Sequence, residues 1–304
     1  MEAEQSDRGR QRHAVIQAVL SASFFGATVP LSKLFLEDAG PLQVSGLLYS
    51  GGGMTLLVWT VLLYLGGRIP ADQWIRRIDL PWLSGAVLAG GVAAPAVLMI
   101  ALTITPAATA SLLLTTEGIA TALLAALFFS EQIRRPVWIG IACITGANLL
   151  LSLESEDGWS LSLGALGVVL ACLLWGLDNN LTRRVAARNP QMIGAVKGSI
   201  AGGSALLLSW IVHEPTASPL ATGALLLIGA ICYGLSIVLF ISAVGTLGAS
   251  RTAAFFGTGP FAGALVSFLL FQTAPTLQLL IALPLLIGGT LLIAGVHRTP
   301  ARSG

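Results

Sequence analysis

Long apolar stretches separated by very short polar ones fill the chain from residue 14 to residue 296. A helix that crosses a bilayer needs about 20 mostly apolar residues. Ten stretches reach that length: 14–36, 44–66, 80–103, 107–129, 133–153, 162–181, 193–212, 220–243, 249–271 and 277–296. The longest connection, Gly67 to Asp79, leaves no room for a water-soluble domain between them. The pattern predicts an all-α integral membrane protein of ten transmembrane helices.

The positions of the arginines test that count, because a wrong number of helices would scatter them over both sides of the membrane. With the N-terminus in the cytoplasm, Arg8, Arg10 and Arg12 lie inside, Arg68, Arg76 and Arg77 follow helix 2, and Arg134 and Arg135 follow helix 4. Arg183, Arg184 and Arg188 follow helix 6, Arg251 opens helix 9, and Arg298 and Arg302 follow helix 10. All fall on one side. The opposite connections carry Glu37, Asp38, Glu154, Glu156, Asp157 and Glu214 and no arginine. Both termini are therefore expected in the cytoplasm, and the protein in the cell (inner) membrane. A basic tail before an apolar run containing Ser21-Ala22-Ser23 has the outline of a cleaved signal peptide. That run continues to Leu36, however, and losing its first half would leave an odd number of helices, against the arginine pattern.

Composition narrows the class further. With 55% hydrophobic residues, 10% charged and a mean hydropathy of +0.85, the chain lacks the polar surface of a water-soluble protein. The 35 Gly and 14 Pro fall inside apolar runs, where neighbouring helices re-satisfy freed backbone groups, so they do not indicate disorder or collagen. A net charge of +2 gives no pull toward nucleic acid. Cys143, Cys172 and Cys232 stand singly in apolar runs and read as packing residues, without a disulfide framework or CxxC site. His13, His213 and His297 are dispersed, so spacing assembles no metal site. No HExxH, Walker-type GxxxxGK[ST], GxSxG or GxGxxG-plus-acidic arrangement supports an enzyme or an ATP-driven pump. Neither catalysis nor a cofactor is expected, and energy for any transport must come from a gradient or from the substrate.

The chain also resembles itself. Phe25-Gly26 with Lys33 aligns with Trp175-Gly176 and Arg183, and Pro41 aligns with Pro190. Glu117 and Glu131 align with Pro260 and Ala274, and Gly146 with Gly289. Five helices per half is an odd number, so the second half enters the membrane upside down. The expected units are residues 1–155, helices 1–5, and residues 156–304, helices 6–10.

The run Ala107-Ala108-Thr109-Ala110-Ser111-Leu112 through Phe129-Ser130-Glu131, followed by Gly140 and Gly146, resembles the drug/metabolite transporter superfamily, specifically its ten-helix EamA-type members. The likeness covers nearly the whole chain. In that family a Glu commonly ends helix 4 and a Pro commonly sits fourteen residues before it. Glu131 fits the first position and Pro260 fits the second in the other half, whereas Glu117 replaces the Pro and Ala274 replaces the Glu. The resemblance implies carrier-type movement of small organic molecules, most often outward, through a central cavity lined by both halves. It does not name the substrate, because one architecture serves amino acids, sugars, nucleotide-linked compounds and drugs.

An ionisable group near the bilayer centre costs about 2.5–3.5 kcal/mol on insertion scales, so it faces a cavity or a partner. Glu117 stands near the middle of helix 4, too far from either interface to snorkel, with Leu113, Leu114, Ala120 and Thr121 at helical spacing. It reads as a carboxylate that takes up a coupling proton or a cationic group, or as a buried acid that fixes packing. Asp178-Asn179-Asn180 near the end of helix 6 competes for backbone hydrogen bonds and either opens that helix toward a substrate or forms a polar exit. Lys197 in helix 7 either snorkels to the cytoplasmic interface or pairs with Asp178. Lys33 is expected to snorkel on the outer side or to pair with Glu37. Phe24, Phe25, Trp175, Tyr233, Phe255, Phe256 and Phe261 are candidates for an apolar cavity wall, with Trp175 favoured because it precedes Asp178 by one turn. Gly198 with Gly202, and Gly259 with Gly263, are spaced for close helix packing.

Together these residues predict a secondary carrier that exports a small amphipathic metabolite, such as an amino acid, by alternating access and with proton exchange at Glu117. An organic cation or drug drawn by Glu117 is the alternative within transport. A non-transporting membrane scaffold or sensor is the alternative outside it. The expected partners are the lipid bilayer, a small molecule and protons, and no nucleic acid.

Overall fold

The structure is a computed structural model and describes residues 2–129, 135–154, 160–247, 252 and 255–295. Ser130, Glu131, Arg134, Glu156, Asp157, Arg251, His297, Arg298 and Arg302 lie outside the described residues. Among those described, the chain forms ten helical units. These are α1 (Glu2–Lys33), α2 (Pro41–Leu65), α3 (Leu80–Ala86, Val87–Ala93 and Ala94–Thr103 in unbroken succession) and α4 (Ala107–Leu113 and Thr116–Phe129). They continue with α5 (Arg135–Ser152), α6 (Leu163–Arg183), α7 (Pro190–Ile211) and α8 (Pro219–Ile228, Gly229–Leu235 and Ser236–Leu247). The last two are α9 (Gly259–Phe271) and α10 (Leu277–Gly295). A two-residue ladder, Leu153–Glu154 against Ser160–Leu161, joins α5 to α6.

Seven units, α1–α4 and α6–α8, contain helices long and apolar enough to cross a bilayer. The apolar parts of α5, α9 and α10 (Arg135–Leu151, Gly259–Phe271 and Leu277–Ile293) are shorter. The protein is a multi-pass integral membrane protein. Large apolar side chains such as Leu127, Leu163, Leu220 and Leu269 point outward, as they can where lipid is the solvent. A fully buried cluster including Leu98, Leu102, Leu112, Leu113, Ile144, Val168 and Leu286 packs where α3, α4, α5, α6 and α10 meet.

The packing repeats. α1 closes on α9 at Gly26, where an added Cβ would run into the backbone of Gly259 and Gly263. α6 closes on α4 at Gly176, where it would lie 2.8 Å from Ala120 Cβ and 2.9 Å from Thr121 N. The aligned pairs Phe25-Gly26 and Trp175-Gly176 thus occupy equivalent positions. α2 and α7 run antiparallel: Gly46, Ser50, Gly53 and Leu56 meet Leu206, Gly202, Gly198 and Gly194 in reverse order. α5 and α10 also cross antiparallel, with Gly140 against Gly289 and Ile293 and Gly289 against Ile144. Equivalent helices that run in opposite directions make this an inverted repeat.

Three details differ from simple spanning helices. The seven-residue segments Val87–Ala93 of α3 and Gly229–Leu235 of α8 are wound as π-helix, at matching places in the two halves. Such turns are rare and recur at functional sites. α4 is not continuous, since turns at Leu114 and Thr115 divide it, and Asn148 Nδ2 donates to Thr115 Oγ1 at 3.3 Å and Thr116 Oγ1 at 2.7 Å across the break. α6, by contrast, is unbroken through Asp178-Asn179-Asn180, so of the two readings of this run the opened helix does not occur. The three side chains find partners on neighbouring elements instead of competing for α6's own ladder, apart from one bond to Gly176 O.

Candidate functional site

A cavity of about 450 Å³ lies between the two halves. α2 contributes Tyr49, Gly52, Gly53 and Leu56 to its wall, and α7 contributes Pro190, Ile193, Gly194, Lys197 and Gly198. Because α2 and α7 are antiparallel, both sets run from mid-helix to the same end, where Ala186 and Arg188 complete the lining. The cavity therefore extends from the middle of the molecule toward the end of α2 marked by Leu65.

One part of the lining is polar. The second piece of α4 starts at Thr116, which puts Glu117 in a helical first turn, where the exposed backbone amides favour a carboxylate. Glu117 Oε1 accepts a hydrogen bond from Asn179 Nδ2 at 2.9 Å, and the same amide donates to Thr121 Oγ1 at 3.1 Å. The residue just before it on α6, Asp178, is 5% exposed, yet Lys197 Nζ lies 2.5 Å from its Oδ1. Thr182 Oγ1 donates to that oxygen at 2.9 Å and accepts from Lys197 Nζ at 3.1 Å. Lys197 reaches across to Asp178 instead of snorkelling, because a buried carboxylate needs an opposite charge. Gly90 of the α3 π-turn lies against Asp178, and a Cβ there would overlap the carboxylate.

A second part of the lining is aromatic. Tyr233 of the α8 π-turn packs tilted against Tyr49 with ring centroids 4.9 Å apart, and meets Phe25 edge-on at 5.7 Å. Phe256 lies 5.0 Å from Phe25. Trp175 belongs to both: its ring borders the cavity while Nε1 donates to Gly90 O at 2.9 Å.

Glu117, Asp178, Asn179, Lys197 and Trp175 thus line one cavity, as do Phe25, Tyr233 and Phe256. Asn180 is buried and not part of the lining, since its amide donates to Gly176 O at 2.8 Å and Thr121 O at 3.1 Å. Phe24, Phe255 and Phe261 are likewise absent from the lining. Lys33 is held mainly by backbone carbonyls, its Nζ donating to Leu102 O at 3.0 Å and to Thr105 O, with the Glu37 charge acting on it as well. Those carbonyls lie in the last turn of α3 and just past its end, where helical donors run out, which is why a cation is held there. Tyr49, Thr182, Gly90 and Arg188 belong to the site without a sequence signal beyond their type, because each depends on which helices meet. Among the described residues no group of three or more His, Cys, Asp or Glu could hold a metal ion.

Two inverted helical repeats around a polar and aromatic cavity define a membrane transporter architecture. The chain belongs to the EamA-like transporter family, which matches residues 12–153 and 162–295, and so to the drug/metabolite transporter superfamily. A solved structure, described as "Crystal structure of protein", superposes with a TM-score of 0.68 at 18% identity, covering 96% of this chain and 99% of its own. At that identity the likeness concerns the fold. No curated protein matches the chain.

Proposed function

We propose that this protein is a secondary carrier that exports a small amphipathic metabolite, such as an amino acid, by alternating access, with proton exchange at Glu117. In this reading all ten helical units cross the cell (inner) membrane, both termini are cytoplasmic, and residues 1–155 and 156–304 are the two repeats. The observation that carries it is the mixed polar and aromatic lining of the cavity. Glu117, Asn179, Asp178 and Lys197 offer charge and hydrogen bonds, and Phe25, Tyr49, Tyr233 and Phe256 offer rings in the same lining. A ligand with a polar head and an apolar body satisfies both parts, whereas a wholly polar or wholly apolar one leaves one part unmatched. Glu117 suits the coupling role because its single described side-chain hydrogen-bond donor is neutral Asn179, while Asp178 already has a cationic partner.

A second reading, an organic cation as substrate, is favoured by the same carboxylate sharing its cavity with several rings, an arrangement that attracts positive charge. The test is uptake or efflux of an amphipathic compound panel in proteoliposomes under imposed pH gradients. The wild type should transport, with a rate that depends on pH. Glu117→Gln keeps size and hydrogen bonding and should fold normally while losing that dependence. An unaltered pH profile in Glu117→Gln would assign the residue to packing.

A further inference from the structure

At each end of the antiparallel pair α2 and α7, a connection from one half grips the start of a helix in the other. At the end marked by Leu65 and Pro190, Asn189 N donates to Gln73 O at 2.8 Å. Arg188 Nε donates to Asp79 Oδ2 at 2.7 Å and Arg188 Nη1 to Asp72 O at 2.8 Å. At the other end Gly40 N donates to Pro215 O at 3.1 Å. The Glu214 carboxylate accepts from Leu42 N at 3.2 Å and Gln43 N at 3.0 Å, and Ala217 N donates to Gln43 Oε1 at 2.6 Å.

The two clamps are counterparts under the repeat. Gly40 and Asn189 are the residues before Pro41 and Pro190, and in each clamp that residue's N–H meets a carbonyl of the connection after the partner helix. Asn189 caps its own helix, accepting from Met192 N at 3.0 Å. Gly40 has no side chain to do so, and Glu214 caps α2 from the other half instead, in space that a Cβ on residue 40 would fill. Between the clamps the backbones interlock: a Cβ on Gly198 would lie 2.8 Å from Gly53 Cα, and one on Gly202 2.6 Å from Ser50 N. Sliding α2 along α7 would drive side chains into those gaps.

In an inverted repeat, exchanging the conformations of the halves turns a cavity open at one end into a cavity open at the other. Here the cavity reaches the Leu65 end, through Ala186, Arg188 and Pro190, while the clamp at that end is made. Under the exchange, the Pro41 clamp is equally made when the cavity reaches its end. Both clamps are made together in this state, so each is compatible with its end open.

Resting on the carrier reading above, we propose that α2 and α7 form a fixed spine through the transport cycle, and that the clamps anchor it at both faces and are not gates. The test is reversible cross-linking in proteoliposomes on a Cys143→Ser background, since Cys172 and Cys232 are buried. Gln73→Cys with Asn189→Cys locks one clamp, and Gln43→Cys with Ala217→Cys locks the other. If loss of the Asn189 cap lowers the yield, Asp72→Cys with Ala187→Cys replaces the first pair. A control pair in the cavity wall, Ala186→Cys with Ile237→Cys, should stop transport when bridged. The fixed spine predicts that both clamp pairs, fully bridged, transport at the rate of their reduced forms. Transport that stops on bridging a clamp and returns with reductant would overturn the spine and make that clamp a gate. Absence of transport in the reduced proteins and the wild type would instead remove the carrier reading, and the spine with it.

Discussion

Asp178 is the residue on which the polar wall depends. It is 5% exposed, and its Oδ1 accepts from both Lys197 and Thr182, while Gly90 leaves room for the rest of the carboxylate. Removing one member of a buried pair leaves an uncompensated charge and costs about 3–5 kcal/mol, whereas removing both costs far less. Lys197 is part-exposed to the cavity, so the lower figure applies to it. Asp178→Asn and Lys197→Gln should therefore each lower thermal stability in detergent more than the double variant does. Additive losses in that double-mutant cycle would mean that the contact contributes no coupling. The pairing was legible as one of two options for Lys197, because helix 6 leaves the membrane where helix 7 enters. The contribution of Thr182 and Gly90 was not, since neither residue type signals a partner on another helix.

At the scale of elements, the divided α4 explains how Glu117 departs from the family pattern without losing the shape. Pro260 is the second residue of α9, Gly259–Phe271, and Glu117 is the second residue of the α4 piece Thr116–Phe129. Proline is tolerated in a first helical turn because the N–H it lacks has little helical use there. In α4 the same break is held without proline, by Asn148 on Thr115 and Thr116. Glu117→Pro should consequently fold, at the cost of the bond from Glu117 N to Leu114 O, while its transport no longer varies with pH. Ala122→Pro, inside the same piece, should lose about 3 kcal/mol or more and give little folded protein. Equal yields of the two, measured by size-exclusion chromatography in detergent, would contradict a helix start at Thr116. The break itself was hidden in the sequence because its cause, Asn148, lies on another helix.

For the whole molecule, the arginine pattern predicts an orientation that labelling can check. Single cysteines at Thr216 should react with a membrane-impermeant maleimide in intact cells, and those at Arg76 and Arg135 should react only after permeabilisation. Labelling of Arg76→Cys from outside would reject the proposed topology. In that orientation the cavity described here faces the cytoplasm, the side from which an exporter takes its substrate.

The sequence by itself determined what the bilayer enforces. Apolar length, the side on which arginine accumulates, and the internal repeat are read along the chain one residue at a time, because lipid and water judge each segment locally. Tertiary structure alone decided which side chains share a cavity. That Asn179 serves Glu117 while Asn180, one residue on, is consumed by backbone carbonyls follows from how closely Gly176 lets α6 approach α4. That Lys33 ends α3 follows from where the carbonyls of Leu102 and Thr105 come to rest. Contacts between helices far apart in sequence depend on the packing of every glycine between them, and no local pattern carries that information.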